Sequence, residues 1–406
     1  MTTKGPQHPE NPTLDEVCEF IVDCLHKTAP TQSTGYPSIR TPNVGRGRLM
    51  LEGVNRVSED VYAEWTKRAI PVPGDLILAR EAPAGNVAII REGQKVCLGQ
   101  RTVHLRPDLT VVDPDFLCYY LLAPRQQGAL LAGETGATAR HVNMRDIRRL
   151  KLGSLPTVPT QRKLGQIIAS YDDLIENNRR RIALLEEAAR LLYREWFVHL
   201  RFPGHELVKI MDGLPKGWER RTIGDIAETN ESSYRKKDLP DEICYIDISS
   251  VAQGRVLGKK RVLASDAPGR ARRRIKDGDT IWSNVRPNLR SYALMLEPDE
   301  FDVVSTGFTV LTAIAVPFTW LYMFVTTDNF VGHLMNYATG VGYPAVRPDD
   351  FERASLRLPP EILLNHFHEI TEPNFRMICK LNQQNQKLAQ ARDLLLPRLM
   401  NGEIVV

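Results

Sequence analysis

No two of the six cysteines, at positions 18, 24, 97, 118, 244 and 379, stand at CxxC spacing. That excludes the usual zinc and dithiol frameworks and leaves buried thiols in a reducing cytoplasm as the expectation. The motifs of phosphate chemistry are missing too: there is no GxxxxGK[ST] loop and no GxGxxG fingerprint. No serine nucleophile elbow occurs, and the nine histidines form no HExxH or other ligand spacing. Asp349, Asp350 and Glu352 lack the nearby strand lysine a nuclease needs. Leu358-Pro359-Pro360-Glu361 is the nearest approach to the Asn/Asp-Pro-Pro-aromatic motif of a base methyltransferase, and it does not fit. The polar opening MTTKGPQHPENPTLDE has no signal-peptide core. The longest apolar stretch, Val310–Val325, is too short for a membrane span and is broken by Pro317, so it reads as a buried strand and helix.

What is present is size, repetition and local charge. A chain of 406 residues with 42% hydrophobic and 25% charged content is a soluble protein of two or three domains. The net charge is a modest +4, yet Lys259 to Lys276 (KKRVLASDAPGRARRRIK) holds eight basic residues and one acid, Asp266. Such a cluster suits a surface that tracks phosphates, or is a solvated loop.

The chain repeats itself at an offset of 204 residues. Gly74-Asp75-Leu76-Ile77 returns as Gly278-Asp279-Thr280-Ile281, and Pro83 as Pro287. Thr135-Gly136, Val142 and Asp146 return as Thr339-Gly340, Val346 and Asp350, and Leu152 and Pro156 as Leu356 and Pro360. The stretches between agree poorly, so two copies share a scaffold and differ inside it. Each copy reads as mixed α/β. Ala69–Ala79, Gly85–Ile90, Cys244–Ser249, Asp279–Ser283 and Thr309–Ile314 are strand-like. Trp320–Asn336 reads as helix, and Phe116–Ala123 as either a helix or a buried strand. The Gly-Asp pairs are turn signals, and neither Asp75 nor Asp279 has a catalytic partner at useful spacing.

A heptad helix follows each copy. Leu164, Ile168, Tyr171, Ile175, Asn178, Ile182, Leu185, Ala189, Leu192 and Trp196 step by fours and threes, which is a coiled-coil seam. Pro159 suits the first turn, with Thr157 or Thr160 as cap. After the second copy, Leu364 and Phe367 start a helix that Pro373 is expected to kink or restart. Ile378, Leu381, Asn385, Leu388 and Leu395 continue it, with Pro397 and Gly402 as the expected stop. Asn178 and Asn385 are polar seam positions, either buried to fix register or exposed. The two seams are expected to bury each other in an antiparallel pair. About 38 residues of helix are roughly 57 Å long, a spacer between two modules.

At this point the chain resembles the specificity subunit of type I restriction-modification systems, over nearly its whole length. The residues that carry the resemblance are LPTVPTQRKLG at Leu155–Gly165, LPKGWERRTIGDIAE at Leu214–Glu228 and ARDLLLPRLMNGEI at Ala391–Ile404. Leu14–Ala29 resembles the start of a target-recognition domain, and Arg80–Ala88 its strand-loop-strand. The first copy lacks the LPxGW opening, and the second reads Asn365-His366 where the first has Gln161-Arg162. The resemblance implies tandem α/β (α+β) target-recognition domains separated by two long helices in an antiparallel coiled coil, with a pseudo-twofold internal repeat. The expected boundaries are 1–156, 157–200, 201–360 and 361–406, alternating recognition domain and spacer helix. It implies a non-catalytic subunit that reads a bipartite double-stranded DNA target in the cytoplasm. It also implies docking of methyltransferase subunits, two of them, and of restriction/translocase subunits. No cofactor is expected on this chain; S-adenosylmethionine belongs to the methyltransferase, and ATP and Mg to the restriction partner.

Half-sites about 34–36 Å or a multiple apart suit a ruler of this length. Phosphate contacts are expected from Lys236, Lys237, Lys259, Lys260, Arg272, Arg273 and Arg274. Base readers are expected at Arg80, Asn86, Arg140, His141 and Asn143, and at Asn284, Arg286, Asn288, Arg290, Tyr343 and Arg347. Tyr193, Trp196 and Phe197 form an apolar face that either docks the methyltransferase or packs on the second unit. The competing reading is a coiled-coil adaptor that assembles protein partners without reading DNA.

Overall fold

The computed structural model describes residues 10–132, 141–340, 342–404 and 406. They form two compact units, Met1–Asn178 with Gln384–Val406, and Arg179–Gln383.

In the first unit a helix α1 (Glu59–Trp65), capped by Ser58, lies beside a small three-stranded sheet. The central sheet places Cys18–Asp23, Thr102–Pro107, Leu76–Ala79, Val87–Ile89 and Gly47–Arg48 side by side in that order. Leu76, Ile77, Leu78 and Ala79 are all fully buried, as a strand covered on both faces must be. One face packs on α2 (Pro114–Leu122) and α3 (Pro124–Leu131). Phe116–Ala123 is therefore helix: Asp113 accepts from the Phe116 N–H at 3.0 Å, and Pro114 sits at the position that has no N–H to satisfy. A short α4 (Met144–Arg148) follows, then α5 (Val158–Tyr193), which ends in a π-helical turn, Arg194–Val198.

The second unit is built to the same plan. Its sheet runs Ala227–Thr229, Phe308–Ala313, Thr280–Ser283 and Tyr292–Leu294, antiparallel throughout. That is the order of the first four strands of the first unit's sheet. Helices α6 (Phe318–Val325), α7 (Asp328–Tyr337) and α8 (Pro348–Glu352) correspond to α2, α3 and α4, and α9 (Glu361–Met400) to α5. Each unit also has a second small sheet with one parallel pair, Tyr36–Ile39 with Cys97–Leu98 and Glu242–Ile246 with Asp302–Ser305.

The repeat extends to single hydrogen bonds. Asp75 accepts from the Val72 N–H at 2.9 Å, and Asp279, 204 residues on, from Lys276 at 2.8 Å. The glycine before each has positive φ, +93° at Gly74 and +85° at Gly278, as this turn requires. The Val142 N–H reaches the Arg80 carbonyl at 3.0 Å, and that of Val346 the Asn284 carbonyl at 2.9 Å. Thr135-Gly136, another of the paired motifs, lies outside the described residues.

In the first unit the two long helices run antiparallel: Asp172 meets Arg392, and Asn178 meets Asn385 and Gln384. Asn178 is buried and donates to Asn385 at 3.0 Å and Gln384 at 3.1 Å, so the polar seam positions are partners. In the second unit Tyr193 and Phe197 pack on Phe367. Seam residues Leu164, Ile168, Ile175, Ile182 and Ala189 of α5 are buried. The helix α9 is continuous through Pro373 and Pro397, so neither proline restarts or stops it, and it ends at Met400, two residues before Gly402, whose φ is +74°. Pro373 is exposed, as are Glu369 and Asp393, whose carbonyls lack the N–H at i+4, so water can serve them.

Candidate nucleic-acid interface

In the second unit, six residues singled out as base readers lie on two loops that the backbone ties together. The Arg286 N–H bonds the Pro344 carbonyl at 2.7 Å, and Val285 bridges Ala345. Arg286 has positive φ, donates to the Gly342 carbonyl at 3.2 Å, and lies over the Tyr343 ring at 4.2 Å from its centroid. Tyr343 is 71% exposed. Asn288 is exposed on the turn Pro287–Leu289, and Arg347 is exposed at the start of α8. Asn284 is half-buried and accepts from the Thr309 hydroxyl at 2.7 Å; Arg290 is ion-paired to Asp328. An exposed ring stacked under a guanidinium, flanked by amide and arginine side chains, presents the groups that read base edges.

The first unit treats its candidates differently. Arg80 is largely buried, donates to Asp23 at 2.8 Å and to the Val142 carbonyl at 2.9 Å, and holds the frame together. Asn86 donates to the Val44 carbonyl at 2.9 Å. Both therefore serve the protein's own framework. Asn143 starts α4 and reaches Asp146 at 3.4 Å, and His141 is half-buried beside it. Arg140 lies outside the described residues.

The basic stretch divides as well. Lys237, Lys260 and Arg274 are exposed, and Arg274 lies 5.1 Å over the Tyr234 ring. Lys260 is 3.9 Å from Asp247, a loose surface pair. Lys259 is ion-paired to the buried Asp302. Arg272 bonds the Ala271 carbonyl at 2.9 Å, and Arg273 the Ser233 hydroxyl at 3.1 Å. All three arginines lie on the strand Ala271–Arg274. Lys236 sits on the turn Lys236–Asp238, and its side chain lies outside the described residues.

Of the two readings of Tyr193, Trp196 and Phe197, the docking face is overturned and packing on the second unit holds: they are 6%, 7% and 5% exposed, inside that unit's core. Phe197 meets Phe367 at 5.1 Å and Trp218 at 6.2 Å, and Trp196 meets His366 at 5.2 Å. Burying rings of this size stabilises by about 1.5–3 kcal/mol each, which outweighs leaving them exposed for a partner.

Sequence reasoning missed three polar arrangements. Asp75 is buried and accepts from His104 Nε2 at 2.6 Å and from two Arg106 nitrogens at 2.9 and 2.8 Å. Burial pushes its carboxyl up, but these donors outweigh it and hold it below the usual carboxylate range. In the repeat, Asp279 has the Thr312 hydroxyl at 2.6 Å in their place, and burial leaves its carboxyl above the ordinary value. The alternation of His104 and Arg106 on one strand was the available signal. Gln161, fully buried, accepts from the Asp113 N–H at 2.9 Å and donates to the Val111 and Pro156 carbonyls, fastening the start of α5. The third is Asp172 on α5, bound by Tyr119 and Arg392.

All six cysteines are free, and burial pushes the Cys97 thiol up to about 11, which makes it inert. Among the described residues no group of three or more His, Cys, Asp or Glu side chains is placed to hold a metal ion. Nor is any helix long and apolar enough to cross a membrane.

A duplicated α/β frame that holds differing polar loops, with long helices between and after the copies, defines a class of proteins built from two copies of one module. The family model for the type I restriction modification DNA specificity domain matches residues 7–187. The MjaIX specificity subunit of Methanocaldococcus jannaschii is 23% identical over 364 residues, covering 87% of this chain and 83% of that one. The HindI specificity subunit of Haemophilus influenzae is 25% identical over 183 residues, 43% of this chain and 39% of its own. The crystal structure of the type I restriction-modification S subunit from M. genitalium has the same fold, with a TM-score of 0.62 at 13% identity over 98% of both chains. Over residues 7–187 the chain thus matches the type I restriction modification DNA specificity domain, and over most of its length it is similar to a type I restriction enzyme specificity subunit.

Proposed function

We propose that this chain reads a bipartite double-stranded DNA target, one half with each globular unit, and that other chains carry out the chemistry. The observation that supports this most is the hydrogen-bonded frame recurring at 204 residues while the loops it holds differ. One scaffold with two loop sets is what reading two unlike half-sites needs. In the second unit the base readers are Arg286, Asn288, Tyr343 and Arg347, and the phosphate contacts Lys237, Lys260 and Arg274. In the first unit they come from His141, Asn143 and the neighbouring Arg140. The partners are methyltransferase subunits, two per chain, and restriction subunits. S-adenosylmethionine, ATP and Mg are held by those partners, in the cytoplasm.

The test is methylome sequencing of cells carrying this chain with its methyltransferase partner. A split adenine-methylated motif with a fixed gap is expected. Arg286→Ala should relax one half of that motif and leave the other intact, a loss of about 1–3 kcal/mol of discrimination. An unsplit motif, or a variant that alters both halves equally, refutes the assignment. Indifference of DNA affinity to Lys260→Ala with Arg274→Ala would favour the protein adaptor instead.

A further inference from the structure

The second unit contains a cavity of about 540 Å³ that the DNA loops do not touch. Its rim is a two-stranded ribbon, Glu219–Thr222 against Ser355–Leu358, in which Arg220 stands directly opposite Arg357. Like charges facing each other across a strand pair repel. Both side chains are exposed, and among the described residues neither has an acidic partner. Arg221 adds a third guanidinium at the rim, held at 2.8 Å by Glu219. The acid in the cavity lining, Asp225, accepts from the Thr222 N–H and hydroxyl at 2.7 and 2.9 Å through one of its oxygens.

The first unit supplies an internal control. Its matching turn has the Thr13 N–H and hydroxyl on Glu16 at 2.7 and 2.9 Å, and Thr13 bridges Lys151. Two residues further out, where the second unit has Arg220 and Arg357, stand Asn11 and Gly153, joined by a 2.8 Å bond from the Gly153 N–H. Tyr120 and Gln126 fill the space behind them by bonding the Leu152 carbonyl. The residues 204 positions on are Phe324 and Phe330, which cannot do so, and they line the open cavity. One scaffold is thus bridged and filled in one copy, and open with two facing arginines in the other.

We infer that the Arg220–Arg357 ribbon and the cavity behind it bind a phosphoryl anion. The Arg220 and Arg357 forks together offer more N–H donors than a carboxylate can accept, whereas a phosphate group takes several forks at once. The phosphoryl group comes either from a small soluble ligand or from a DNA backbone. A volume of about 540 Å³ lies within the range of small-molecule sites and favours the soluble source.

The test is calorimetric titration of the full chain with pyrophosphate, beside Arg220→Gln/Arg357→Gln and an Arg272→Gln/Arg274→Gln control. Saturable binding is expected for the wild type and the control, and about tenfold or more weaker binding for the first variant. An unchanged melting temperature in chloride shows that the variant, altered at exposed positions, is folded. The salt dependence of DNA affinity then separates the sources. An unchanged slope assigns the cavity to a soluble phosphoryl ligand, and a slope shallower by about 1 or 2 assigns it to the DNA backbone. This second arm alone rests on the DNA-reading proposal. Equal pyrophosphate binding by the variant and wild type overturns the inference, as does no binding by either with an unchanged DNA slope.

Discussion

Replacing Arg392 by methionine tests how the first unit grips its helix pair. Asp172 is 4% exposed and holds two donors, Arg392 at 2.5 Å and the Tyr119 hydroxyl at 2.6 Å. Methionine keeps most of the volume and leaves the carboxylate with Tyr119 alone. Breaking a buried pair from one side costs about 3–5 kcal/mol. The Arg392 side chain is 16% exposed, so some water reaches the pair and the lower figure, about 3 kcal/mol, applies. For a unit of about two hundred residues, each kcal/mol moves the midpoint by about 2–4 °C, so its calorimetric transition should fall by about 6–12 °C. Adding Asp172→Asn removes the stranded charge while keeping a partner for Tyr119. The double variant should therefore recover about half of the loss, the non-additivity expected of contacting residues. A double variant as unstable as the sum of its singles would show that the pair contributes no coupling, and would refute this account of the joint.

Two further outcomes concern stability. Asp75 is held below the usual carboxylate range, so its contribution is present above the ordinary value and disappears as the pH falls through it; Asp279 lies above that range, so acid favours its folded form. Calorimetry at pH 7 should find Asp75→Asn much more costly than Asp279→Asn, with the Asp75 penalty shrinking below about pH 4; equal penalties at pH 7 would contradict the two environments. Pro373→Ala restores an N–H in the middle of α9 at an exposed position and should stabilise the second unit by about 1–3 kcal/mol, read as a higher midpoint in thermal circular dichroism; no rise would mean that the helix is strained elsewhere.

The scaffold was legible because its signals are local. The Gly-Asp turns, the 204-residue offset and the heptad steps each reflect a short-range rule of dihedral angle or periodicity. The failures arose where a distant residue decides. Phe197 looks like a docking residue until Phe367 and Trp218 arrive from far along the chain to cover it. The sequence does not show that Asp23 and the Val142 carbonyl hold the Arg80 guanidinium. Pro373 looks like a break because the sequence does not say which side of a helix will face water. Asn288 and Tyr343 lie exposed on loops that carry Pro287, Gly342 and Pro344.

The first unit is closed by a segment far along the chain, Gln384–Val406. Leu396, Leu399 and Met400 sit in the same core as Leu164 and Ile168, whereas the second unit is one uninterrupted segment. During synthesis the ribosome delivers the second unit whole while the first still lacks part of its interior. At about 5–20 residues per second that wait is on the order of ten seconds to most of a minute. A nascent chain halted before Leu396 would carry a finished module beside an unsealed one, the form in which quality-control proteases would meet it.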